Sequence, residues 1–150
     1  MFRLSRAAEY AIRGVAHLAD NKGGEVIESE KIAKAEGVPA AYLAKLFQAL
    51  AKKGFVRSVR GPEGGFTLAM SPERISLLDI IEAVEGPIHL NDCLIRPGYC
   101  QRESICPVHD VWRGAQEKLL DYLKESNFAD LVVSGRVKSM RARRKACGTK

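Results

Sequence analysis

From Leu4 to Ala19, apolar residues recur at positions 4, 8, 11, 15 and 18, one stripe at helical spacing that predicts a first helix. Ser5 and Ser29 are candidate helix caps, and a second helix is expected from Ser29 through KIAKAE to a stop at Gly37. Pro39 suits the first turn of a third helix, PAAYLAKLFQALAKKG, ending at Gly54. Its Leu43, Leu46, Phe47 and Leu50 share an inward face, while Ala41, Tyr42, Lys45, Gln48 and Lys52 lie on the other side. Two short helices joined by a tight turn, the second with a polar and basic outer face, make a helix-turn-helix.

The pattern then changes period. In FVRSVRGPEGGFTLA, Val56, Ser58 and Arg60 alternate with Arg57 and Val59, Gly-Pro-Glu-Gly-Gly interrupts, and Phe66 to Ala69 resumes an extended run. This predicts a β-hairpin with a glycine-rich tip, placed where a winged helix carries its wing. Ser76 with Asp79 fits a capping box and Ile75 with Ile80 a hydrophobic staple, so LLDIIEAVE is expected to be a helix that stops at Gly86-Pro87. Residues 88–106 read as a loop. A last long helix is expected from near Pro107 to about Lys124, with Val108, Val111, Trp112, Ala115, Leu119 and Tyr122 in one stripe. That stripe could fold back on its own domain or be covered by a symmetric partner, and the latter is the expectation. The fold class is therefore mainly α with a small β-hairpin wing, a winged helix-turn-helix plus a long C-terminal dimerisation helix. Three regions are expected: a DNA-binding domain over residues 1–70, a cysteine loop and dimerisation helix over 71–133, and a basic tail without structure over 134–150.

Charge sharpens this division. The net charge of +6 is uneven: residues 1–70 carry 11 Lys/Arg against 7 Asp/Glu, residues 71–135 carry 6 against 11, and residues 136–150 carry 7 against none. A basic first region suits a polyanionic partner, although solvated surface charge would read the same way. No apolar run reaches the roughly 18 to 20 residues needed to cross a bilayer, and MFRLSRAAEYAIRG lacks the apolar core of an export signal. A cytoplasmic location is expected, where clustered cysteines bind metal or do redox work more often than they form disulfides. The chain has no phosphate loop, nucleophile elbow or convincing carboxylate pair, which points away from an enzyme.

The chemistry concentrates in CLIRPGYCQRESICPVH, residues 93–109. Cys93 and Cys100 are separated by six residues, Cys100 and Cys106 by five, and Cys106 and His109 by two. Structural zinc sites usually pair ligands two to four residues apart, so these wider gaps suit an iron–sulfur cluster better than a zinc ion, with unligated thiols the third reading. His109 lies one helical turn beyond Cys106 and can join it. Three cysteines and one softer ligand would leave a labile corner, which suits sensing. His17, His89 and Trp112 read as packing or loop residues, and Cys147 as a free thiol of the tail.

The segments RLSRAAEYAIRGVAHLA, VPAAYLAKLFQALAKKGFV and SVRGPEGGF, followed by the three-cysteine loop, occur in an order that resembles the winged-helix iron–sulfur regulators typified by IscR, NsrR and RirA. The resemblance covers residues 1–133. It implies a cytoplasmic homodimeric transcription factor, a repressor, that binds a double-stranded DNA operator, with an iron–sulfur cluster in each protomer setting operator affinity. A 2Fe–2S cluster is expected ahead of a 4Fe–4S one, and iron–sulfur status, nitric oxide or redox stress are the expected signals. By position, Cys93, Cys100 and Cys106 match the cluster cysteines. CPVH resembles the branch whose fourth ligand is His109, whereas Glu9 falls where another branch has an acidic ligand from the partner's first helix. Tyr42 and Lys45 are expected to meet bases or phosphates, with Ala41 beside them. Arg60 should enter a minor groove from a wing tip shaped by Pro62 and Gly64, and Ser5 should hold a phosphate. Ala44 stands where IscR has an acidic residue. A zinc-stabilised winged helix and a small iron–sulfur carrier are the alternatives.

Overall fold

The computed structural model describes residues 3–21 and 24–147. Among them the order is α1 (Arg6–Asp20), α2 (Ser29–Glu36), α3 (Ala40–Lys52), β1 (Val56–Val59), β2 (Gly65–Leu68), α4 (Leu77–Glu85), α5 (His109–Glu125) and α6 (Phe128–Cys147). Short 3-10 turns occupy Pro72–Arg74 and Asp92–Leu94. The chain is a mainly helical winged helix-turn-helix with a two-stranded antiparallel wing.

Each helix begins and ends for a local reason. Ser5 caps α1, its Oγ accepting from the Ala8 N–H. The stripe of α1 is buried as the spacing predicts, at Ala8, Ala11, Val15 and Leu18. Gly37 ends α2 in the left-handed conformation. Ser76 and Asp79 form the full capping box of α4. Three boundaries differ from expectation by a residue or two. Ser29 is the first residue of α2 and Glu28 its cap, Pro39 sits just outside α3, and α5 opens at His109. In each case the residue expected to start the helix sits one or two positions away from the observed boundary, a scale on which helix ends ordinarily vary.

The core lies between α1, α3, α4 and the root of the wing, around the fully buried Val15, Ile32, Leu43, Phe47, Leu50 and Ile80. Gly14 lets α1 and α3 close up: a Cβ there would stand 2.6 Å from Cζ of Phe47. Phe47 meets Phe66 of β2 edge to face, centroids 5.0 Å apart, so the second helix of the motif and the wing share one packing unit. The wing pairs Val56 with Leu68 and Val59 with Gly65. The segment ahead of α2 adds a third short edge, because Ile27 and Phe66 exchange both backbone hydrogen bonds at 2.9 Å. Gly65 is required for that approach, since a Cβ on it would sit 2.1 Å from the Ile27 carbonyl oxygen.

The basic C-terminal segment departs from expectation. Residues 136–147 continue α6 as helix, while residues 148–150 lie outside the described residues, as does the side chain of Cys147. Repulsion among the seven cations of residues 136–150 argues for disorder, but most residues of RVKSMRARRKAC, which holds six of them, are good helix formers and the helix is anchored at its start. Phe128 is fully buried, Asn127 Oδ1 accepts from the Asp130 N–H at 3.0 Å, and Arg136 pairs with Asp20 of α1. Among the described residues no helix is long and apolar enough to cross a membrane.

Candidate nucleic-acid interface and metal centre

The outer face of α3 is built as its sequence implies. With Leu43, Leu46, Phe47 and Leu50 buried, Ala41, Tyr42, Lys45 and Gln48 are exposed together. Pro39 lends its carbonyl to the N–H groups of Tyr42 and Leu43, fixing the first turn. The ring of Tyr42 meets Tyr10 of α1 edge to face, centroids 6.0 Å apart and planes at 83°. At the wing, Arg60 and Pro62 are exposed at the tip and Gly64 closes the turn by donating to the Gly61 carbonyl at 2.9 Å. A Cβ on Gly64 would stand 2.6 Å from the Val59 carbonyl oxygen, so glycine is needed for the tip to close. A cleft lined by Glu25, Glu28, Lys31 and residues 59–63 separates the wing from the start of α2.

Ser5 lies at the mouth of a cavity of about 520 Å³ beside α1, walled by Arg3, Arg6, Glu9, Tyr10 and Arg13. The three arginines were not singled out in the sequence. Their signal was the spacing of Arg6 and Arg13, seven residues apart on the side of α1 opposite its apolar stripe. Ser5 also makes a link that no local pattern announces: its N–H donates to Oε1 of Glu85 at 2.6 Å.

The cysteine loop leaves the core after Ile88 and returns to it at α5. Cys93, Cys100 and Cys106 are half-buried with free thiols. His109, at the first turn of α5, is 6% exposed, and its Nδ1 is buried without a hydrogen-bond partner. Its Nε2 stands 3.7 Å from Oε1 of Glu103. His109 and Cys93 line one cavity of about 250 Å³, together with Glu103 and Arg113. Cys100 and Cys106 do not line that cavity, and Cys106 is tied to His109 through the backbone, its carbonyl accepting from the His109 N–H at 3.2 Å.

This donor set fits a thiolate-bound group, because three free thiols and one buried, unsatisfied imidazole nitrogen are otherwise unexplained. The residues are not gathered into a ligand cage: among those described, no three of the His, Cys, Asp and Glu side chains converge on a metal-sized point. Glu9 is exposed on α1, in a cavity lined by none of the cysteines. Elsewhere, His17 Nδ1 lies 2.9 Å from Oε1 of Glu36, joining α1 to α2. His89 also keeps a buried Nδ1 without a partner, which loop composition does not foretell. Trp112, expected in the core, is 45% exposed in the single chain, in line with the exposed Val108, Val111 and Tyr122.

A winged head with a basic recognition face, followed by a loop of free cysteines, defines a DNA-binding regulator rather than an enzyme. The family model for Rrf2, iron-dependent transcriptional regulators, matches residues 4–134, and the chain belongs to that family. It is 32% identical over 130 residues to the transcriptional regulator IscR of Erwinia tasmaniensis, covering 87% of this chain and 78% of that one. The structure of CymR, the global cysteine regulator of B. subtilis, superposes with a TM-score of 0.70 at 27% identity, covering 89% of this chain and 98% of that chain. IscR of T. potens superposes with a TM-score of 0.71 at 26% identity, with 89% and 88% covered.

Proposed function

We propose that the chain is a homodimeric, operator-binding transcription factor whose DNA affinity is set by an iron–sulfur cluster held by Cys93, Cys100, Cys106 and His109. The observation that carries this reading is the buried, unpartnered Nδ1 of His109, a residue that lines one cavity with Cys93, beside a loop with two further free thiols. When bound, the cluster supplies a site open to oxidation, nitrosylation or loss, and so a chemical signal. Glu9 of a second protomer is the competing fourth ligand.

The chain's own residues supply the rest. Two α3 helices enter successive major grooves, with Tyr42 and Lys45 at bases or phosphates and Ala41 giving close approach. Arg60 enters the minor groove from a tip that Pro62 and Gly64 hold in shape. Ser5 and the arginines beside it face the phosphate backbone. The second protomer covers the exposed stripe of α5, where Val111 is 67% and Tyr122 72% exposed.

Anaerobic purification tests the reading. Brown protein with visible charge-transfer absorption, lost in Cys100→Ala, is expected. Colourless protein carrying stoichiometric zinc would replace the cluster with a structural ion, and absence of any sequence-selective DNA binding would leave an iron–sulfur carrier.

A further inference from the structure

We propose that Tyr10 is a positioning residue for DNA recognition, holding the ring of Tyr42 in the orientation in which it meets the operator. The inference rests on the DNA-binding role given to Tyr42 above. Tyr42 is 40% exposed in the first turn of α3. The side chains three and four positions away along that helix are Pro39, the flexible Lys45 and Leu46, and Leu46 is turned into the core. A ring so placed would exchange between the two side-chain rotamers a helix allows.

Its lateral support comes from another helix. Tyr10 is half-buried and packs against the core, so its own ring is fixed. Its contact with Tyr42, 6.0 Å between centroids at 83°, has the geometry in which one ring's edge meets the other's face. Such pairs contribute about 0.5–1.5 kcal/mol beyond burial, which converts to a preference of roughly 2- to 12-fold for one orientation. Tyr10 also lines the cavity shared by Ser5, Arg6 and Arg13. One side chain therefore ties the wall that faces phosphates to the ring that faces bases.

The test uses the full chain. A randomised duplex library is enriched on the wild-type protein, and affinities are measured for the top duplex and its single-base variants. Tyr10→Phe, which keeps the ring, should match wild type. Tyr10→Leu should lose about 2- to 10-fold of discrimination at the base pairs where Tyr42→Ala loses it, with the salt dependence unchanged. Tyr10→Leu combined with Tyr42→Ala should be no worse than Tyr42→Ala alone. If Tyr10→Leu melts early, Tyr10→Met carries the same expectation. Equal weakening on all duplexes, or additive losses in the double variant, would overturn the positioning role. So would unchanged discrimination in Tyr42→Ala, whereas failure of the wild type to enrich any sequence would overturn the DNA reading itself.

Discussion

The backbone N–H of Ser5, the residue that caps α1, donates to the carboxylate of Glu85, the last residue of α4, across 2.6 Å. The bond spans 80 positions of sequence and sets an acid at the positive end of the α1 dipole, the end that the proposed reading turns toward the DNA backbone. Glu85→Gln should therefore tighten DNA binding, by about 2- to 5-fold at low salt and less at high salt. Fluorescence anisotropy across a salt series measures it. Weaker binding would mean that Glu85 instead holds α1 in its DNA-bound position.

The unpartnered nitrogen of His109 gives a prediction with two opposite signs. In apo-protein, His109→Leu removes a buried polar atom with no hydrogen bond, so stability should be unchanged or raised by about 1 kcal/mol. In cluster-loaded protein the same variant should lose its visible absorption faster under air. Urea unfolding and absorption decay read the two effects separately. A loss of several kcal/mol in apo-protein would show that His109 is held for structure.

The contact between Gly14 and Phe47 leaves no room for a side chain. Gly14→Val should destabilise the fold by about 2–3 kcal/mol, because the ring and Leu43 must move. A favourable helix-propensity change offsets only a few tenths of that. Equilibrium unfolding of the purified variant decides, and wild-type stability would show that α1 and α3 pack less closely.

Phe128 measures whether α6 belongs to the fold. It is fully buried, so truncation would remove core contacts on every side. Phe128→Ala should cost about 3–5 kcal/mol, while Arg136→Ala, at an exposed ion pair, should cost under about 1 kcal/mol. Comparable small losses in both would reduce α6 to an appendage.

The stripe on α5 yields a test of assembly. Trp112→Asp places a charge at the centre of the exposed apolar row, and sedimentation should show a dimer becoming monomer. An unchanged mass would assign the stripe to something other than a second copy.

Much of the head was legible because each of its elements obeys one period. Leu43, Leu46, Phe47 and Leu50 declared the buried face of α3, and Ser76 with Asp79 declared the start of α4. The wing followed from alternation and glycines, yet its third edge at Ile27 did not, since one bridge leaves no periodic trace. α6 was misread because charge density was weighed without the anchor at Phe128, which matters only once the rest of the core exists. In the site, cysteine spacing marked the loop, but the cavity shared by Cys93 and His109 and the lone nitrogen of His89 depend on tertiary placement. The Ser5–Glu85 and Tyr10–Tyr42 relations are likewise distant in sequence, so no local pattern contains them.

The segregation of the core has one more consequence. Between Ile88 and His109 no residue is fully buried, so the cysteine loop contributes little to holding the head together. Such a loop can change its residues or its length with little effect on whether the head folds. Loop and head are in this sense separable parts, and one winged head can carry many different loops through substitutions confined to some twenty positions.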